Sequence, residues 1–95
     1  MIENEIYATI DCAATGQRIK KLLIERNISV GELAQFMGFE GSRAIYKWQA
    51  GKALPSVDNL YALSRVLHTT IEDILVGNDE MSSRHFCGKI ELQVQ

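Results

Sequence analysis

The chain has a single proline and two cysteines in 95 residues, and aromatics make up only 7% of it. So little proline, with 46% hydrophobic residues and seven glycines, excludes a disordered or low-complexity chain and fits one small globular domain. Cys12 and Cys87 are not spaced as CxxC, and two cysteines do not make a disulfide framework. Reduced thiols in a cytoplasmic protein are expected. No run of about 18 apolar residues exists, which excludes a membrane-spanning helix. The first ten residues, MIENEIYATI, lack the basic start and long apolar stretch of a secretory signal. Nor is there a Ser/His/Asp or Cys/His constellation, a phosphate-cradling glycine loop or a carboxylate pair in an apolar setting, so an enzyme is not expected. His85 and Cys87 are too few for a zinc site; no metal, cofactor or small-molecule ligand is expected.

Net charge is −2, but the charge is segregated. Residues 17–52 carry Arg18, Lys20, Lys21, Arg26, Arg43, Lys47 and Lys52 against Glu25, Glu32 and Glu40, a local balance of +4. The rest of the chain sums to −6. Either both regions are ordinary solvated faces, or the basic stretch is a face for phosphate on an otherwise acidic protein.

Hydrophobic spacing predicts five helices between about residues 15 and 76. Ile19, Leu22 and Leu23 stripe the first, with Thr15 as its expected cap and an end near Asn27. Ser29-Val30-Gly31-Glu32 fits a capping box for the second, whose expected apolar face is Leu33, Phe36 and Met37 and whose stop is Gly38. Ile45 and Trp48 define the buried side of the third, over about 42–50, with Gly51 at its end. Ser56 caps the fourth, striped by Leu60, Leu63, Val66 and Leu67, with His68 as a capping or surface histidine near its end. Thr70 with Asp73 caps a short fifth helix holding Ile71, Ile74 and Leu75, with Gly77 expected to close it. Glu72-Asp73 is first-turn charge at that helix's start.

The ends read differently. Ile6, Ala8 and Ile10 alternate with Tyr7 and Thr9, and residues 89–95 alternate with period 2, so each end is a possible short strand. Residues 77–84 read as a linker. Lone strands are marginal, so the two ends are expected to pair with each other or across a dimer, unless both are frayed tails. The expected organisation is an N-terminal extension (1–14), a helical domain (15–76), and a linker with a C-terminal strand (77–95).

Helices two and three, separated by a glycine-bearing turn, have a helix-turn-helix arrangement. The elements are Arg18-Ile19-Lys20-x-Leu22, then Glu32-Leu33-Ala34-x3-Gly38, then Ile45-Tyr46-Lys47-Trp48-x2-Gly51-Lys52. They continue as Leu54-Pro55, Leu60-x2-Leu63-x3-Leu67 and Ile74-Leu75. In this order they resemble the lambda repressor/Cro-type (XRE-like) helix-turn-helix domain over residues 16–75. The resemblance implies an all-α, five-helix fold and a sequence-specific, double-stranded-DNA-binding transcriptional regulator, a repressor rather than an activator, acting as a homodimer. Leu33, Ala34, Gly38, Ile45 and Trp48 would be the structural core of the motif, with the small Ala34 letting helices two and three cross closely.

The resemblance places base contacts at Ser42, Arg43, Tyr46 and Lys47. Arg43 would bond a guanine bidentately, Lys47 a guanine or a phosphate, and Tyr46 a sugar or thymine methyl, if its ring does not simply pack on the surface. Lys52 would meet a phosphate, as would the amides near Val30 and Gly31, while Arg18, Lys20 and Lys21 would add attraction. Four positions depart from the family pattern. Val30 stands where Gln is frequent and Ala50 where Asn is frequent. Leu23 and Gln49 replace an Arg–Glu pair, so no buried charge is orphaned. The stretch from Gly38 to Ile45 is one residue longer than usual, with Gly41 in the gap. The alternative reading is a protein-interaction module, or an antitoxin-like partner, on the same scaffold with weak or no DNA binding.

Overall fold

The first helix, α1 (Cys12–Glu25), begins one turn earlier than Thr15. Asp11 has extended backbone angles, and its carboxylate accepts the Ala14 N–H at 2.9 Å. Both residue types cap helices well. Thr15 is diverted because it is buried and holds Val76 instead, its hydroxyl oxygen accepting the Val76 N–H at 3.0 Å. The computed structural model describes residues 8–79, and α1 is followed there by α2 (Val30–Met37), α3 (Arg43–Gln49), α4 (Val57–Val66) and α5 (Ile71–Ile74).

The other expected starts hold. Ser29 accepts the Glu32 N–H at 3.0 Å while the Glu32 carboxylate accepts the Ser29 N–H at 2.9 Å, a complete capping box. Ser56 accepts from the Asn59 amide at the start of α4, and Thr70 from the Asp73 amide at the start of α5. Each supplies an acceptor to a first-turn amide that has none within its helix.

Four helices stop in the same way. Asn27, Gly38, Gly51 and His68 take left-handed backbone angles, with φ of 58°, 75°, 75° and 55°. The next amide in each case folds back: Ile28 to the Leu23 carbonyl, Phe39 to Ala34, Lys52 to Lys47 and Thr69 to Ser64, all at 2.9–3.0 Å. This double closure satisfies carbonyls that the helix leaves unpaired. α5 ends otherwise. Leu75 is extended, and Gly77, expected to stop the helix, instead forms an isolated antiparallel bridge with Ile10.

That bridge is a different pairing from the expected one between the two terminal strands, whose C-terminal member lies outside the described residues. The partner of the N-terminal segment is the stretch just after α5, from the last residue of the expected helical domain into the expected linker: the Asp11 amide donates to the Val76 carbonyl and the Asn78 amide to that of Thr9, both at 2.8 Å. Ile6 and the alternating segment 89–95 lie outside the described residues, as do His85 and Cys87.

All five helices turn apolar side chains to one core. Ile19, Leu33, Ile45, Leu63, Leu67 and Ile74 are fully buried, joined by Leu22, Leu23, Ala34, Trp48 and Leu60. Phe36 is the exception to the predicted faces, at 63% exposed. The inner stripe of α2 is Val30, Leu33, Ala34 and Met37. At about 100° per residue, Phe36 falls about 60° beyond the Leu33 edge of that stripe and roughly 110° from its centre.

Candidate nucleic-acid interface

α3 is seven residues long and is fixed from one side only. Ile45 and Trp48 are sunk in the core, and the ring of Phe39, in the turn before the helix, meets the Trp48 indole edge-on with centroids 6.0 Å apart. From beneath, α1 approaches so closely that a β-carbon on Gly16 would lie 2.7 Å from the Gln49 carbonyl oxygen and nearer still to that of Trp48. The sequence assigns close approach to Ala34, between α2 and α3. Ala34 is indeed buried, but the main packing partner of α3 is α1.

With Ile45 and Trp48 committed inward, Arg43, Tyr46 and Lys47 stand at i, i+3 and i+4 and share the opposite face. All three are exposed, Tyr46 at 57%. Ser42, half-buried, is the residue before the helix, and its hydroxyl makes no capping bond. Phe39, just past the left-handed Gly38, ties the turn 39–42 down through its Trp48 contact, and α3 that follows is regular.

The basic residues divide by what they already hold. Arg43, Lys47, Lys52 and Lys20 have no ion pair among the described residues. Lys21 lies 4.0 Å from Glu25 one turn along α1, an exposed pair that contributes little. Arg18 is half-buried. Arg26 is structural: its Nε donates to the Leu67 carbonyl at the end of α4 at 2.7 Å, and its other arm approaches Glu25 at 3.4 Å. At the start of α2 the amides of Val30 and Gly31 have no acceptor among the described residues, whereas the Val30 side chain packs against the core. The exposed side of α3 therefore offers the positive charge and hydrogen-bond donors of Arg43 and Lys47. Among the described residues no cluster of three metal-ligating side chains occurs, and Cys12 is a free thiol.

Three roles were not read from the sequence: those of Phe39 and Gly16 in seating α3, and that of Arg26 in the scaffold. Phe39 carried a signal, since an apolar residue just after a glycine helix stop commonly folds back on the helix. Gly16 carried a weak one, a glycine inside a helical pattern. Arg26 carried none, because its partner is a carbonyl 41 residues away.

Comparison with known proteins agrees with this geometry. Residues 19–74 match the helix-turn-helix family model. The chain is 27% identical over 63 residues to the HTH-type transcriptional activator BcrR of Enterococcus faecalis; the match takes in 66% of this chain and spans 30% of the length of that relative. Among solved structures, the restriction-modification controller protein C.AhdI of Aeromonas hydrophila superposes with a TM-score of 0.62 at 22% identity, over 67% of this chain and 96% of the other. A hypothetical transcription factor, NHTF, from Neisseria gives 0.63 at 13% identity, over 86% and 99%. These two likenesses are of fold. Among the described residues no helix is long and apolar enough to cross a membrane.

Proposed function

We propose, on the premise that this chain belongs to the helix-turn-helix family, that it is a DNA-binding transcriptional regulator reading the major groove with α3. The observation that carries the reading is the two-sided character of that helix: Ile45 and Trp48 anchor it, and Arg43, Tyr46 and Lys47 project from the exposed side. An α-helix fits the major groove, where each base pair shows its own donor and acceptor pattern. Arg43 takes the role of bidentate guanine reader, Lys47 bonds a guanine or phosphate, and Tyr46 lies against sugar or a thymine methyl. Ser42 brings a hydroxyl that no capping bond occupies. Lys52, just past the helix, and the Val30 and Gly31 amides bind phosphate; Lys20, Lys21 and Arg18 add long-range attraction.

Seven helical residues make few base contacts, so the functional unit is a two-fold homodimer with half-sites about one helical turn, roughly 34 Å, apart. The terminal segments are the proposed dimer contact, since an unpaired strand edge seeks a partner. Repression is the proposed outcome, because occupying an operator is enough to block transcription. BcrR is named as an activator, but 70% of its length lies beyond the match, so its sign is not carried over.

Selection from random duplexes, followed by titration of the selected site at two salt concentrations, tests the reading. A palindromic site, with log K falling by about 0.9 for each phosphate neutralised per unit of log salt, is expected. Absent or salt-independent binding would instead favour a protein-interaction or antitoxin-like module. Removing residues 85–95 is expected to weaken dimerisation and DNA binding together; a truncated chain still dimeric by sedimentation would remove that role from the tail.

A further inference from the structure

The first turn of α1 is gripped on two sides. On one side Thr15, 1% exposed, receives the Val76 N–H at 3.0 Å and turns its own O–H toward the Val76 carbonyl at 3.5 Å, where the Asp11 amide also donates at 2.8 Å. Two residues further out the Thr9 amide donates to the Asn78 side-chain oxygen at 3.0 Å, and the Asn78 amide to the Thr9 carbonyl. On the other side the same turn meets the end of α3. Gly16 lies against the Trp48 and Gln49 carbonyls, and a β-carbon on Gly51 would come within 2.9 Å of the Ala13 α-carbon. Thr15 and Gly16 are neighbours in one rigid turn, and close-packed interiors shift as units. Residues 9–11 and 76–78, which flank the helices on either side, meet in this clasp.

We propose that the clasp of residues 9–11 and Thr15 with residues 76–78 is a positioning device for α3: it sets, through the first turn of α1, how Arg43, Tyr46 and Lys47 are presented, and it relays to them any load placed on the terminal segments. Thr15 is then a positioning residue, not a contact. The inference rests on the reading of α3 as the recognition helix. Its regulatory consequence is that whatever binds or pairs the ends of this chain acts on sequence discrimination as well as on assembly.

The test uses the full chain with Thr15→Val, which keeps the shape and removes the hydroxyl, and Thr15→Ser, which restores it. Asn78→Ala is a milder opening of the clasp in case the valine variant does not fold. Two readouts separate positioning from simple stability. The first is hydrogen exchange at the Gly51 and Lys52 amides, which close the end of α3 onto Trp48 and Lys47, with the Leu67 amide as the reporter of global opening. The second is the ratio of affinities for selected and random duplex, which a change in folded fraction leaves untouched because it scales both alike. Thr15→Val, or Asn78→Ala to a smaller extent, is expected to speed exchange at Gly51 and Lys52 about tenfold beyond Leu67, to lower the affinity ratio by a similar factor, and to be rescued by Thr15→Ser. Exchange at Gly51 and Lys52 that changes only in step with Leu67, with the ratio intact, overturns the proposal. Should the unmodified protein show no duplex preference, the recognition reading fails, while the exchange comparison still decides whether the clasp positions α3.

Discussion

The Trp48 carbonyl oxygen occupies the place that a β-carbon on Gly16 would need, so α1 and α3 meet backbone to backbone at the end of α3. A glycine inside a helix is worth about 0.5–1 kcal/mol less than alanine. Propensity alone therefore predicts that Gly16→Ala stabilises. Overpacking a core contact costs about 1–3 kcal/mol, and here the obstructing atoms are carbonyls that cannot rotate away. We expect Gly16→Ala to be destabilised by about 1–2 kcal/mol net in urea unfolding; a midpoint at or above that of the unmodified protein would show that α3 moves aside freely.

Arg26 belongs to the basic stretch by sequence but to the scaffold by structure. Its Nε bond to the Leu67 carbonyl joins the end of α1 to the end of α4, and hydrogen bonds from charged donors contribute about 1.5–3 kcal/mol. With the side chain part-exposed, Arg26→Ala is expected to cost about 1–2 kcal/mol of stability and to leave the salt dependence of DNA binding unchanged. A salt slope reduced by about one would identify Arg26 as a phosphate contact instead.

The left-handed positions respond in opposite directions. His68 has φ of 55°, a conformation that is strained by roughly 1–2 kcal/mol for a residue with a β-carbon. Against this, glycine adds about 0.4–1 kcal/mol of unfolded-state entropy. His68→Gly should thus gain about 0.5 kcal/mol. Gly51→Ala meets both the same backbone strain and the Ala13 backbone, and should lose 1 kcal/mol or more, a figure on the order of overpacking. Paired thermal melts check both signs; equal shifts in one direction would mean the backbone relaxes at these stops.

Arg43 and Lys52 are expected to separate base reading from phosphate binding. Arg43→Ala is expected to cost about 1–3 kcal/mol on the selected site and to relax one of its positions, whereas Lys52→Ala should weaken binding to all duplexes and reduce the salt slope by about 1. Uniform weakening by Arg43→Ala across all sequences would place it on phosphate.

Much of the fold was legible because its signals are local. Capping boxes, glycine stops and apolar residues three and four apart act within one turn of chain, and Ser29, Gly38, Ile45, Trp48 and Ser56 stand where short-range chemistry puts them. The face holding Arg43, Tyr46 and Lys47 was legible for the same reason: once two residues of a short helix are buried, the others are assigned to the outside. What required three dimensions were choices between equally good local options. Asp11 and Thr15 are both able caps, and only the Val76 backbone, 61 residues from Thr15, draws the threonine away. Phe36 was as apolar as Leu33, and only the direction from which the core approaches α2 leaves it outside. Local sequence chose the helices and most of their ends; long-range contact chose which of several suitable side chains would be spent on holding them together.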